Sequence, residues 1–137
     1  MDKKELLRYA GEARERAYCP YSKISVGAAL LAGSGKIYLG ANIENSAFSP
    51  SMCAERTAFA RAILEGEREF SAIAVVGGRE GEKALSAFPP CGVCRQVMSE
   101  FCTKDFEIIT EEKGEAVTKT LGELLPFGFD KHLEVFS

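Results

Sequence analysis

The sequence predicts an α/β fold: a mixed sheet of about five strands with helices packed on its faces. Two observations carry this. Two strand-like runs joined by a glycine-rich turn come early, and helical and strand-like segments then alternate to the end, the pattern of helices layered on a sheet. The chain also has the means to build such a core, since 46% of its 137 residues are hydrophobic, enough for one ordinary domain. No repeat, low-complexity stretch or linker interrupts it, so one domain over residues 1–137 is expected.

The elements follow in order. Residues 2–18 read as an amphipathic helix, with Leu6, Leu7, Ala10, Ala13 and Ala17 recurring at helical spacing between charges. Cys19-Pro20-Tyr21 stops it. The dense apolar run 26–31, the turn Gly33-Ser34-Gly35-Lys36 and the run 37–41 predict a β-hairpin. Residues 42–52 are polar and contain Pro50, so they form a loop. Residues 53–66 have helical composition, with Ser51 as N-cap and Cys53 in the first turn. A short buried strand is expected over 72–77 and a loop over 78–90. A second helix over 91–101 carries Cys91 and Cys94 in its first turn. Strands follow at 106–110 and 116–120, with a helical turn at 121–125; the segment beyond carries no clear signal.

Composition narrows the function. The net charge is −3 and no Lys/Arg cluster stands out, whereas a protein that grips nucleic acid by its phosphates needs one. A small, roughly neutral substrate fits better. The N-terminal segment is polar, and no run of about 20 apolar residues exists, so neither export nor membrane insertion is indicated and a cytoplasmic location is expected. Five cysteines would leave one over in a closed disulfide framework. In a cytosolic setting, CxxC spacings point to metal binding or redox chemistry.

The chemistry concentrates in Cys53-Ala54-Glu55-Arg56 and Pro90-Cys91-Gly92-Val93-Cys94. Three thiolates can hold zinc and leave its fourth position open, the mark of a catalytic site. Helix N-termini, with partial positive charge and free N–H groups, lower thiol pKa values. Arg56 would offset the remaining negative charge, and Glu55 could move protons at the open position. Cys53 and Glu55 lie about 200° apart around an ideal helix, so they converge on one ion only if it sits off the helix end. Two other readings stand beside this one. Cys91 and Cys94 could be a redox pair, and a closed structural zinc could take His132, Cys19 or Cys102 as a fourth ligand, although the two thiols also suit small packed positions.

These segments resemble the zinc-dependent nucleoside deaminases, whose signature includes a three-cysteine variant, and above all the small homotetrameric cytidine deaminases. Pro20-Tyr21-Ser22, Val26-Gly27-Ala28-Ala29-Leu30, Asn42-Ile43-Glu44-Asn45, Cys53-Ala54-Glu55-Arg56-Thr57-Ala58, Pro90-Cys91-Gly92-Val93-Cys94-Arg95-Gln96 and Glu123-Leu124-Leu125-Pro126 all carry the likeness, in order and over nearly the whole chain. The resemblance implies a three-layer α/β/α sandwich and hydrolytic deamination of cytidine and 2′-deoxycytidine in pyrimidine salvage. It implies one Zn²⁺ per chain on Cys53, Cys91 and Cys94, with Glu55 as proton shuttle and Arg56 bonded to ligand sulfur. It places Asn42 and Glu44 on the ribose, the Ala54 N–H on the pyrimidine O2, and Phe48 and Phe129 near a neighbouring subunit's site in a homotetramer. A carboxylate beside an amide suits hydroxyls that both donate and accept.

One position departs from the family pattern. The residue after Pro-Tyr-Ser-x is usually Phe, packed near the base, and here it is Ile24, which implies a looser pocket or a changed base preference. Rival readings are a deaminase for the nucleoside antibiotic blasticidin S, a polynucleotide cytosine deaminase, which the charge disfavours, and a redox or zinc-stabilised binding module.

Overall fold

The computed structural model of the chain describes residues 1–85 and 87–136. Ser86, inside the loop predicted over 78–90, and Ser137 lie outside the described residues. Five strands form one sheet in the order β2-β1-β3-β4-β5. They are β1 (Ile24–Ala32), β2 (Ile37–Ala41), β3 (Phe70–Arg79), β4 (Glu107–Glu112) and β5 (Glu115–Thr120). Only β3 and β4 are parallel; the other neighbouring pairs are antiparallel. The helices are α1 (Lys3–Arg14), α2 (Ala54–Leu64), α3 (Gly92–Phe101) and the single turn α4 (Leu121–Leu124), with a 3₁₀ turn at Glu134–Phe136. The predicted mixed sheet is therefore present.

Side chains alternate across a strand, and this alternation divides the core in two. On one face, Leu6, Leu7 and Ala10 of α1 pack against Ala29, Ala72, Ala74, Val76 and Ile109. On the other, α2 and α3 bring Ala54, Ala58, Phe59, Cys94 and Met98 onto Ala28, Leu30, Ile73, Val75 and Ile108. The result is three layers, α/β/α. Phe59 of α2 ties the second face together: its ring lies 5.1 Å from Phe70, 6.1 Å from Phe101 of α3 and 6.2 Å from Phe106.

Helix α1 is shorter than the predicted 2–18. Asp2 caps it, accepting from the Lys4 N–H at 3.1 Å, and helical geometry ends at Arg14. Tyr18 is taken instead by the segment after β2: its N–H donates to the Asn42 carbonyl and its carbonyl accepts from Glu44, both at 2.9 Å. That pairing carries Tyr21 and Ser22 to Glu44. Strand β3 is longer than the predicted 72–77, starting at Phe70 and running past Gly77 through Gly78 to Arg79. A Cβ at Gly78 would meet Arg14 Nη2 at 2.9 Å, so these glycines mark close approach to the strand and not its end.

Gly40 positions α2. A Cβ on it would lie 2.3 Å from the Ala54 carbonyl oxygen and 2.5 Å from the Ala58 nitrogen. Only a bare backbone lets the first turn of α2 sit this close to β2. Cys53, Ala54 and Glu55 are placed by that contact.

Candidate metal centre and active site

Helices α2 and α3 begin at the same place. Cys53 is the N-cap of α2, in extended backbone, and Cys91 is the N-cap of α3. This corrects the expectation that Ser51 caps the first of these helices, with Cys53 and Cys91 inside the first turns. The Ser51 hydroxyl instead accepts from the Asn45 N–H at 3.0 Å. A cap position lets a side chain project off the helix end, which is the condition that convergence with Glu55 required.

The Cys53 and Cys91 sulfurs lie 3.7 Å apart and those of Cys91 and Cys94 3.5 Å apart, with all three within 4.8 Å of one another. A Zn–S bond of about 2.3 Å places tetrahedral sulfurs about 3.8 Å apart, so this donor set fits zinc. Among the described residues no fourth His, Cys, Asp or Glu joins the group, and Cys19, Cys102 and the exposed His132 stand elsewhere. That leaves the open position of a catalytic site.

The surrounding electrostatics favour a thiolate at Cys53 first. The hydrogen bond between Cys94 and Cys53, helped by the Arg56 guanidinium, brings the Cys53 thiol down to about 5 against the opposing effect of burial. The closeness of Cys53, together with burial, pushes the Cys94 thiol up. Cys91 Sγ accepts from the Cys94 N–H at 3.5 Å, in the first turn of α3. Arg56 Nη2 reaches Cys53 Sγ at 3.5 Å and the Ser51 carbonyl at 3.2 Å. Arg56 Nε is buried without a hydrogen-bond partner, a spare donor beside a cluster built to hold anionic sulfur.

Cys53 and Cys91 open onto a cavity of about 450 Å³. Glu55 lines it with 4% of its surface exposed, and burial pushes its carboxyl up to about 7, with the neighbouring Cys53 adding to the effect. Ala54, at the start of α2, brings to the same cavity one of the N–H groups that a helix cannot satisfy internally.

On the same cavity, Asn42 is locked by β1. Its Oδ1 accepts from the Val26 N–H and its Nδ2 donates to the Ile24 carbonyl, each at 2.8 Å. One amide hydrogen and one lone pair remain for a ligand. Glu44 accepts from the Tyr21 and Ser22 N–H groups at 3.0 and 3.1 Å and from the Ser22 hydroxyl. The Ser22 hydroxyl foremost, then these backbone N–H groups, hold the Glu44 carboxyl below its ordinary value.

The structure thus gathers Ile24, Asn42, Glu44, Phe48, Cys53, Ala54, Glu55, Arg56 and Cys91 around one cavity, with Cys94 buried beside it. Phe48 forms the rim, 70% exposed, with its ring 6.2 Å from that of Tyr21. Phe129 does not reach this cavity; it is 62% exposed, packs edge-on against Phe136 and accepts a 2.7 Å hydrogen bond from Gln96 through its carbonyl. Two residues escaped the sequence reading. Ser22 lies in a quoted motif, but its partner Glu44 is distant in sequence. Phe88 sits in a loop where nothing local announces a role.

Comparison with known proteins agrees with the geometry. A family profile described as the cytidine and deoxycytidylate deaminase zinc-binding region matches residues 1–110. The cytidine deaminase of Sporosarcina psychrophila is 50% identical over 132 residues, covering 96% of this chain and 93% of that protein. That of Halalkalibacterium halodurans is 45% identical over 130 residues, covering 94% and 95%. The crystal structure of cytidine deaminase from Burkholderia pseudomallei superposes with a TM-score of 0.84 at 42% identity, covering 94% of this chain and 100% of that one.

Proposed function

The chain belongs to the zinc-dependent cytidine deaminase family, and from that premise we propose how its residues divide the work. The reaction is the hydrolytic deamination of cytidine to uridine and ammonia, and the cofactor is one Zn²⁺. Cys53, Cys91 and Cys94 hold the ion. When bound, zinc supplies a Lewis acid that acidifies water at the position the thiolates leave open. Arg56 balances the charge of the sulfurs.

Glu55 is the general acid and base. Hydrolysis adds water at C4 of the base and expels the 4-amino group. The Glu55 carboxyl moves one proton to N3 and another to the leaving amine. Burial raises the proton affinity of this carboxyl above that of an exposed glutamate, which suits a group that must both take and give protons. The Ala54 N–H donates to the pyrimidine O2. Asn42 and Glu44 hold the ribose through its 3′-hydroxyl, pre-oriented by β1 and by Ser22, and 2′-deoxycytidine, which keeps that hydroxyl, is a substrate too. The observation that carries this reading is one cavity lined by Cys53, Cys91, a buried carboxyl and a fixed amide–carboxylate pair, with the Cys94 thiol converging on the other two.

The same reading makes the chain one domain over residues 1–137, assembled as a homotetramer. Phe48, Phe127 and Phe129 are 70%, 102% and 62% exposed, and such apolar surface suits subunit contact; Phe48 and Phe129 then face a neighbour's site. A cytoplasmic place in pyrimidine salvage fits the five free cysteines, and among the described residues no helix is long and apolar enough to cross a membrane. The test is a panel of cytidine, 2′-deoxycytidine and blasticidin S followed by absorbance. Turnover of the first two is expected, and turnover of blasticidin S alone would overturn the assignment.

A further inference from the structure

The cavity has an aromatic wall that neither the zinc motif nor the sugar motif contains. Phe88 lines it, three residues before Cys91. A Cβ on Gly77 would lie 2.7 to 2.8 Å from Cδ1, Cε1 and Cγ of Phe88, so the ring is seated directly on bare β3 backbone. Gly77 is the register partner of Val26, whose N–H holds the Asn42 side chain. Phe88 thus rests on the strand pair that carries Val26 and precedes Cys91 by three residues, and all three line the one cavity. A nucleoside held in that cavity brings its base to this wall.

The backbone leading to the ring is also hydrogen-bonded to the sheet. The Leu85 N–H donates to the Gly77 carbonyl at 2.7 Å and the Ala87 N–H to the Glu111 carbonyl at 2.8 Å. Ala87 adopts φ +54°, a conformation that costs a non-glycine residue free energy and persists only where its surroundings impose it. Pro89 and Pro90 follow, and the Pro90 carbonyl accepts from Arg95 Nε at 3.0 Å. By contrast Ile24 offers only an aliphatic edge, 39% exposed, and Phe48 stands out at the rim.

We propose that Phe88, seated on Gly77, is the specificity-determining residue that packs its ring against the pyrimidine base, so that the aromatic wall comes from the loop before α3 and not from position 24. This rests on the cytidine deaminase reading above. Gly77 is the positioning residue, since any larger side chain there would displace the ring.

The test compares wild type with Phe88→Leu and with the double variant Ile24→Phe/Phe88→Leu. It measures kcat and KM for cytidine, the competitive inhibition constant of uridine, zinc content and thermal midpoint. Loss of an aromatic contact raises KM and the uridine constant together, about five- to tenfold, while kcat stays within about twofold. Zinc content stays at the wild-type level. The double variant, with a ring restored from β1, recovers at least half of that loss on a logarithmic scale. If Phe88→Leu fails to fold, Phe88→Met, which keeps the bulk without the ring, carries the same expectation. A variant with both constants within twofold of an active wild type overturns the inference alone. A wild-type chain that neither turns over cytidine nor binds uridine overturns the functional reading with it.

Discussion

Replacing Gly40 with alanine should damage the active site without changing any residue that binds metal or substrate. The new methyl would lie 2.3 Å from the Ala54 carbonyl oxygen, 2.5 Å from the Ala58 nitrogen and 2.9 Å from the Ala58 Cβ. Ordinary contact begins at 3.4 Å. Two of the three clashes are with helix backbone, so no side chain can swing aside, and α2 must retreat by about 1 Å; overpacking of this kind costs about 1–3 kcal/mol. For a chain of this length, each kcal/mol is worth about 3–4 °C in the thermal midpoint, which predicts a drop of about 3–12 °C. The catalytic loss should be larger in proportion. Cys53, Ala54 and Glu55 move with the helix while Cys91 and Cys94 stay on α3, and a misplacement of about 1 Å in a reacting constellation costs on the order of 10²-fold in rate. Thermal melts, zinc analysis and kcat/KM for cytidine on one preparation give all three quantities. A Gly40→Ala protein with wild-type midpoint, zinc content and kcat/KM would refute the claim that this backbone contact sets the position of α2.

Two further predictions separate neighbouring roles. Ser22→Ala removes a charge-assisted hydrogen bond to Glu44 and a partner of the Ile24 N–H, so KM for cytidine should rise about tenfold with kcat nearly unchanged; a fall in kcat alone would place Ser22 in the chemistry. Cys19→Ala and Cys102→Ala should both retain one zinc per chain, since neither thiol joins the metal cluster. Loss of zinc from either would revive a closed structural site.

The elements that the sequence showed most clearly are those whose signal is local. The run from Val26 and the turn at Gly33 to Lys36 announce a hairpin because strand pattern and turn chemistry agree over a few residues. The three cysteines and Glu55 were legible because few arrangements use those residue types at that spacing. What escaped depended on distant partners. The end of α1 was read four residues too far because Arg16 and Ala17 suit a helix, whereas the competing partner of Tyr18 lies at Asn42 to Glu44. Ser51 looks like a helix cap, yet its hydroxyl is used by Asn45, and Cys53 takes the cap. Gly77 and Gly78 look like the end of a strand, but the side chains that need their bare backbone, Phe88 and Arg14, come from other parts of the chain. The concern raised by Ile24 was local too, and its answer lies in the loop before α3.

The central claim is that three thiolates hold one zinc ion while Glu55 moves the protons. Zinc analysis of the wild type and of Glu55→Gln, each followed by cytidine turnover in the same preparation, tests it most directly. The account predicts one zinc per chain in both proteins, rapid turnover in the wild type, and a rate lower by about two to four orders of magnitude in the variant. A Glu55→Gln protein that deaminates cytidine at near the wild-type rate, or a wild type active without zinc, would contradict it.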